Sequence, residues 1–259
     1  MSTALKLATW NVNSLTVRLP HVLDWLNSQR PDVLCLQETK QEDSKFPYAA
    51  LAEAGFNAVH NGQKTYNGVA IISPHPIAQV QFDIPGFVDA QKRIVAATIG
   101  GIRVVSAYVV NGQSVDSDKY QYKLQWLAAL QDWLAAELKQ HDRLAVLGDY
   151  NIAPDDTDCH DPAAWEGQVL VSPPEREAFQ RLLDLGFHDS FRLFNKEAGQ
   201  FSWWDYRMAA FRRNMGMRID HILVSEALRS HCLDCIIDKA PRKLERPSDH
   251  TPVMLTLGI

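Results

Sequence analysis

Five short polar groups along the chain mix carboxylate, amide and imidazole side chains: Trp10-Asn11-Val12-Asn13, Gln37-Glu38-Thr39-Lys40, Gly148-Asp149-Tyr150-Asn151, Arg218-Ile219-Asp220-His221 and Ser248-Asp249-His250. Each adjoins an apolar, strand-like run, and strand ends are where α/β sheets gather ligands. Singly they are weak signals, because an Asp or Asn at a strand end usually shapes a turn. Asn11 and Asn13 read equally well that way, and His221 reads as structural. Gathered at one rim, Glu38, Asp149, Asp220 and Asp249 would crowd their negative charges, which pushes carboxylates toward the protonated form unless a cation offsets it. Oxygen donors from Glu38, Asn11 and Asp249, with no cysteine or multi-histidine cluster among them, suit Mg2+ or Mn2+ rather than zinc. A hard cation held this way would offset negative charge that builds on a substrate's oxygens during hydrolysis.

The elements that must position these groups show as periodicity. LKLATWNV (5–12) and residues 32 to 36 read as strands around a helix from Pro20 to Ser28, with apolar spacing through Val22, Leu23 and Leu26. GVAIIS, RIVAATI and IRVVSAYVV follow between 68 and 110, the last two separated by Gly100 and Gly101, a hairpin signal. From Ser117 to Gln140 runs the longest amphipathic pattern, with Leu124, Leu127, Leu130, Leu134 and Leu138 stepping by three and four. The strand RLAVLGD (143–149) leads into a polar loop from Asn151 to Val171, and Ser172-Pro-Pro-Glu175 reads as the capped start of a helix to about Leu185. FSWW, RIDHILVS and TPVMLTL return to strand-like patterns. Hairpin-like pairs mixed with α/β segments predict two mostly antiparallel sheets face to face with helices outside. Without a linker or internal repeat, the 259 residues read as a single domain over 1–259.

Composition narrows the functional classes. With 46% hydrophobic and 22% charged residues, the chain has material for a large core and resembles neither a disordered nor a membrane protein. No run approaches the roughly 18 apolar residues of a membrane span, so no membrane partner is expected. The start, MSTALKLATWNV, lacks a secretory pattern, which predicts a cytoplasmic address. A net charge of −5 argues against coating nucleic acid by bulk electrostatics, yet it allows a nuclease whose carboxylates hold metal beside a basic rim. Cys35, Cys159, Cys232 and Cys235 read as ordinary reduced thiols, with zinc or redox use of the Cys232-x-x-Cys235 pair as the alternative. Late in the chain Trp203, Trp204, Tyr206, Arg207, Phe211, Arg212, Arg213 and Arg218 interleave aromatic and basic side chains. Such a stretch suits stacking on a displaced nucleotide while guanidinium groups hold phosphates, although alternation along a strand would bury one of the two tryptophans.

In order and over nearly the whole chain, nine segments resemble the exonuclease III family of the endonuclease/exonuclease/phosphatase superfamily: WNVNSL (10–15), LQETK (36–40), NGVAIIS (67–73), YVVNGQ (108–113), YQYK (120–123), GDYNIAP (148–154), SWWDYR (202–207), MRIDHILVS (217–225) and ERPSDHTPV (245–253). The resemblance implies a four-layer α/β sandwich of the DNase I-like kind, two mixed, mainly antiparallel sheets flanked by helices. It implies a metal-dependent nuclease of base excision repair, a monomer acting on double-stranded DNA with damaged or recessed 3′ ends. By resemblance Asp149 is the general base, Asn151 a donor holding the water or transition state, and His250 the contact to the scissile phosphate. Asp220 orients His250, and the Tyr108 hydroxyl reaches the phosphate. Asp149, Asn151 and His250 join Glu38, Asn11 and Asp249 as implied metal neighbours. Trp203, Met217 and Ile219 would line a pocket for an abasic sugar, with Arg207 on the DNA side, and Lys119, Tyr120 and Lys123 are read as further backbone contacts.

Two positions depart from the family pattern. Val110 stands where many members have proline after Tyr-Val. Leu170, in LVSPPER, stands where members acting on abasic sites often carry glycine, and its added bulk predicts 3′-end cleavage with weakened abasic-site incision. Competing readings are a superfamily phosphatase for an inositol phosphate or lipid head group, and a catalytically inactive DNA-binding module. SWWDYR and the other substrate-facing segments weigh against the first, and the full ligand set against the second.

Overall fold

The computed structural model describes residues 4–259. Its first part builds β1 (Ala4–Asn11), α1 (Leu15–Gln29), β2 (Val33–Gln37), α2 (Tyr48–Glu53), β3 (Asn57–Asn61), β4 (Val69–Ser73), β5 (Ala78–Phe82), β6 (Ile94–Ile99), β7 (Ile102–Tyr108), α3 (Asp118–Leu138) and β8 (Leu144–Asp149). There follow α4 (Pro162–Trp165), α5 (Pro173–Asp184), β9 (Phe187–Asp189), α6 (Ser190–Phe194), β10 (Trp203–Trp204), β11 (Gly216–Met217), β12 (Asp220–Ser225), α7 (Glu226–Arg229), β13 (Cys232–Ile237) and β14 (Val253–Gly258).

The strands form two six-stranded sheets, in the orders β13-β14-β1-β2-β4-β3 and β5-β6-β7-β8-β12-β9, with β10 and β11 as a separate ribbon. In each sheet one pair is parallel, β1 with β2 and β7 with β8, and the other pairings are antiparallel. The inner faces meet through residues such as Leu7, Cys35 and Ile71 of the first sheet and Val104, Leu147 and Ile222 of the second. Outer faces are covered too: Leu34, Leu36 and Ile72 by Val22, Trp25 and Leu26 of α1, and Val105 and Val146 by Leu127, Leu130 and Phe179 of α3 and α5. This is the four-layer sandwich. Coverage on both faces explains why β2 reads VLCLQ without alternation.

Local signals place most boundaries. Gly100 and Gly101, at φ of 56° and 79°, turn β6 into β7, where Ile99 faces Ile102. Ser117 caps α3 by accepting the Tyr120 N–H. Two expectations needed correction. The first helix begins at Leu15, ahead of Pro20, which sits inside it; burial of Leu15, Val22, Trp25 and Leu26 outweighs the hydrogen bond that proline cannot donate. On α3, Leu124 and Leu138 are only half-buried, and Trp126, Trp133, Lys123 and Glu137 occupy buried positions.

Gly148 marks a close approach just before the end of β8. A Cβ there would lie 1.8 Å from the Ala107 carbonyl oxygen on β7, a backbone atom with nowhere to move. Gly148→Ala is therefore expected to cost more than about 4 kcal/mol, a fall in Tm of about 10 °C or more. A melting curve superimposable on that of the unmodified protein would contradict this packing.

Candidate active site

Strand register lines up three of the expected residues. Tyr108 on β7 and Asp220 on β12 both pair with Asp149 on β8, so the three share one row at the end of the second sheet. On the facing sheet Asn11 ends β1 beside Gln37, and Glu38 follows directly. Asn11 closes the gap between the sheets. Its Nδ2 donates to Glu38 Oε1 at 2.9 Å and to Asp149 Oδ2 at 2.9 Å, while its Oδ1 accepts the Asn13 N–H at 3.0 Å. Asn11 thus ties two carboxylates together as a donor while its carbonyl oxygen meets the turn that follows β1.

Ligand-capable atoms of Glu38, Asp149 and His250 lie within 4.8 Å of one another, a grouping able to hold a metal ion. His250 presents Nδ1 to Asp220 at 2.9 and 3.1 Å and Nε2 toward Asp149 Oδ2 at 3.7 Å. An acceptor behind one ring nitrogen fixes the imidazole and aims the other. Asp220 is itself held: Ser202 Oγ donates to it at 2.6 Å and accepts the Ile219 and Asp220 N–H groups. Asp249 stands beside this group, accepting from Asn13 Nδ2 at 2.9 Å and Trp203 Nε1 at 3.1 Å. Asn151 has its N–H on Asp149 Oδ1 at 2.9 Å and its Nδ2 on the Val109 carbonyl at 3.0 Å, and Asn111 Nδ2 donates to its Oδ1 at 3.1 Å. At φ 49° Asn151 turns out of the strand direction while sharing the site with Asp149.

Lys40, Arg93, Asn111 and Ser202 had no role in the sequence reading. Lys40 Nζ lies 3.0 Å from Glu38 Oε2 and donates to Asn13 Oδ1 at 2.6 Å. The Arg93 guanidinium sits 4.8 Å from the centre of the Tyr108 ring. Position in LQETK, YVVNGQ and SWWDYR was the available signal for Lys40, Asn111 and Ser202; Arg93 only opened the strand-like run RIVAATI.

The electrostatics follow from burial and crowding. Burial, with a smaller push from Asp220, lifts the Asp149 carboxyl to about 7, against the opposing pull of His250 and the Asn11 and Asn151 donors. Burial alone would lower His250, but Asp220 and Asp149 together raise it to about 10. Burial acts to raise Asp249 as well, yet His250, Asn13 and Trp203 leave it below the ordinary carboxylate range. The Tyr108 hydroxyl is pushed well up, first by burial and then by Glu38 and Asp149. Backbone strain collects here too: Asn13, Glu38, Lys40, Asn151 and Leu170 all have positive φ, between 43° and 78°. Non-glycine residues persist there only where their surroundings over-determine them.

Clefts flank the centre. One of about 670 Å³ is bordered by Tyr108, Arg93, Asn111, Tyr122 and the exposed Lys119. Another of about 440 Å³ is bordered by Trp203, His160, Trp165, Met215 and the exposed Arg207, which pairs with Asp205 at 2.6 Å. Leu170, Met217 and Ile219 are buried in one apolar cluster against which Trp203 packs. Trp204 is fully buried and Trp203 half-buried, as alternation predicts.

Three basic or aromatic residues expected on DNA face inward. Lys123 is 0% and Tyr120 5% exposed, because their side of α3 packs on α5. Arg218 is 1% exposed, held by Asp158 at 2.7 and 3.1 Å and Asp189 at 2.8 Å. His221 is structural, between Arg218 at 2.9 Å and the Ile152 carbonyl at 2.9 Å.

Residues 8–250 match the Endonuclease/Exonuclease/phosphatase family. Exodeoxyribonuclease III of Haemophilus influenzae is 37% identical over 96% of this chain and 98% of its own. A 3′ phosphatase from Neisseria, solved bound to product DNA hairpin, superposes with a TM-score of 0.97 at 49% identity, covering 98% of this chain and 99% of that one. An AP endonuclease from Archaeoglobus fulgidus superposes at 0.95 with 38% identity, covering 98% and 100%.

Proposed function

Because the chain belongs to the endonuclease/exonuclease/phosphatase family, we propose that the strand-end centre of Glu38, Asp149 and His250 is the catalytic site of a DNA-repair nuclease that works at 3′ ends with Mg2+ or Mn2+. The chain is a nuclease of the exodeoxyribonuclease III type. The observation that carries the catalytic reading is the His250 ring, backed by Asp220 and aimed past Asp149, with Glu38 within 4.8 Å. The donor set fits a hard divalent cation, since the Glu38 and Asp149 carboxylates converge, with the His250 ring beside them as a charged neighbour rather than a ligand. When bound, such an ion offsets the charge that develops on the phosphate oxygens.

The chain's own residues do the rest. Asp149 accepts the proton of the attacking water at Oδ2, with Asn11 and the Asn151 N–H fixing its plane. His250, kept as imidazolium by Asp220, donates from Nε2 to a phosphate oxygen. Tyr108 keeps its proton and donates it, and Asp249 positions Trp203 along the cleft through the indole N–H. Double-stranded DNA with a damaged or recessed 3′ end is the substrate, met by a single chain, with Lys119 and Arg207 at the two cleft borders on flanking phosphates. The DNA hairpin in the Neisseria structure supports this reading. Among the described residues no helix is long and apolar enough to cross a membrane.

Leu170 decides between 3′-end work and abasic incision. At φ 78° it holds a conformation that costs a leucine roughly 1–2 kcal/mol, and its side chain packs among Met217, Ile219 and Trp203, the residues that would receive an abasic sugar. On abasic, 3′-phosphate and recessed 3′-hydroxyl duplexes assayed side by side, we expect the last two to be favoured. Leu170→Gly is expected to raise abasic incision relative to 3′ trimming by roughly tenfold or more. Equal rates on all three duplexes, unmoved by Leu170→Gly, would remove Leu170 as the selector.

A further inference from the structure

A buried ion pair lies behind the site. Lys123 on α3 and Glu175 on α5 are both 0% exposed and pair directly. Lys123 Nζ also donates to the carbonyls of Asn151 at 2.7 Å and Asn111 at 3.1 Å. Glu175 accepts the Leu170 N–H at 3.0 Å on the same oxygen that meets Lys123, and the Ser172 N–H at 3.2 Å on the other. Ser172 Oγ also donates to Glu175 and lies 2.6 Å from the Tyr120 hydroxyl. The two segments so gripped are stitched to each other where the Ala153 N–H meets the Leu170 carbonyl at 2.8 Å.

We propose that the Lys123–Glu175 pair is a positioning latch that holds Asn151 against Asp149 and Leu170 across the sugar pocket, so that one buried contact sets both turnover and substrate choice. The inference rests on the functional reading above and deepens it. Asn151 and Leu170 both sit at positive φ, 49° and 78°, and such residues relax unless neighbours hold them. The latch supplies that hold at one carbonyl and one N–H. An apolar pair of similar volume would fill the same space, but only the charged pair also meets the Asn151 carbonyl and the Leu170 N–H. Lys123 and Glu175 touch no reacting atom, so they act through the residues they grip.

The test is the double substitution Lys123→Met with Glu175→Leu, made in the full chain and in a Leu170→Gly background. A fall in Tm of several degrees is expected, because the Leu170 and Ser172 N–H groups and the Asn111 and Asn151 carbonyls lose their partners, with kcat for 3′-nucleotide release down roughly 10- to 100-fold and KM within about threefold. The abasic to 3′-trimming ratio is expected to rise about three- to tenfold with Leu170 present and to stay put with Leu170→Gly, because glycine holds that conformation unaided. Should the double variant fail to fold, amide hydrogen exchange of the unmodified protein decides: the Leu170 N–H must exchange as slowly as the β8 core, and exchange at loop rates overturns the latch. A folded double variant with unchanged kcat and ratio also overturns it while leaving the proposed function intact. An unmodified chain inactive on every DNA tested would instead sink the function, and the catalytic part of the latch with it.

Discussion

Asp149→Asn is expected to lower 3′-nucleotide release by about 10³- to 10⁴-fold without lowering the melting temperature of the metal-free protein. The substitution keeps the side chain's shape, so Oδ1 still receives the Asn151 N–H. It removes the oxygen that takes Asn11 Nδ2 at 2.9 Å and faces His250 at 3.7 Å, and an amide cannot accept the proton of an attacking water. It also removes a buried charge that nearby groups only partly compensate, which is why stability holds or rises. Single-turnover assays at several pH values check the assignment. In the unmodified protein with its cation bound, the rate should climb below the metal-free value of about 7, because the cation displaces the Asp149 proton, and fall toward about 10 as His250 loses its own. Loss of the acidic limb in Asp149→Asn is expected; residual activity within about tenfold of the unmodified protein, with that limb intact, would exclude Asp149 as the base.

Chelation of divalent cations is expected to suppress turnover by about 10³-fold or more, and restoring Mg2+ or Mn2+ to stabilise the fold in a pH-dependent way. Asp149 is raised from 3.8 to about 7 in the folded chain, so its stabilising contribution as the protonated group is complete below 3.8 and gone once pH passes about 7. His250 is raised from 6.5 to about 10, so its contribution is complete below 6.5 and lost on passing about 10. Both signs agree: the metal-free chain loses stability as pH rises. A cation competes with the proton on Asp149, so its effect grows over the same window. At a concentration about 100 times its dissociation constant the gain is about 2.7 kcal/mol, or about 5–10 °C in Tm, larger at pH near 8 than near 5. Glu38→Gln should shrink it at both. A gain of equal size across that range, unaffected by Glu38→Gln, would place the ion elsewhere.

The site was readable where chemistry sits in short segments and hidden where it depends on distant partners. Asn11, Glu38, Asp149, Asp220 and His250 all follow or open apolar runs, and strand register then brings them together. The amide of Asn11 was legible as a polar group but not as a donor, since an amide offers both faces and the Asn13 N–H decides between them. Lys123 read as a contact to the DNA backbone; only Glu175, from a different helix, makes its burial possible. Arg218 read as one more basic residue in an aromatic stretch, whereas Asp158 and Asp189 draw it inward. In the fold, β13 carried no clean period because a bulge between Cys232 and Asp234 interrupts it, and that shift sets Cys232 and Cys235 opposite Leu257 and Leu255.

The contact from Asn11 to Asp149 joins residues 138 positions apart and belongs to neither sheet alone. The row of Tyr108, Asp149 and Asp220 can form within the second sheet, but the centre is complete only once Asn11 and Glu38 of the other sheet reach it. Long-range pairings are slow to close, so recovered cleavage activity after denaturation times the docking of one sheet on the other, and far-ultraviolet dichroism should return ahead of it.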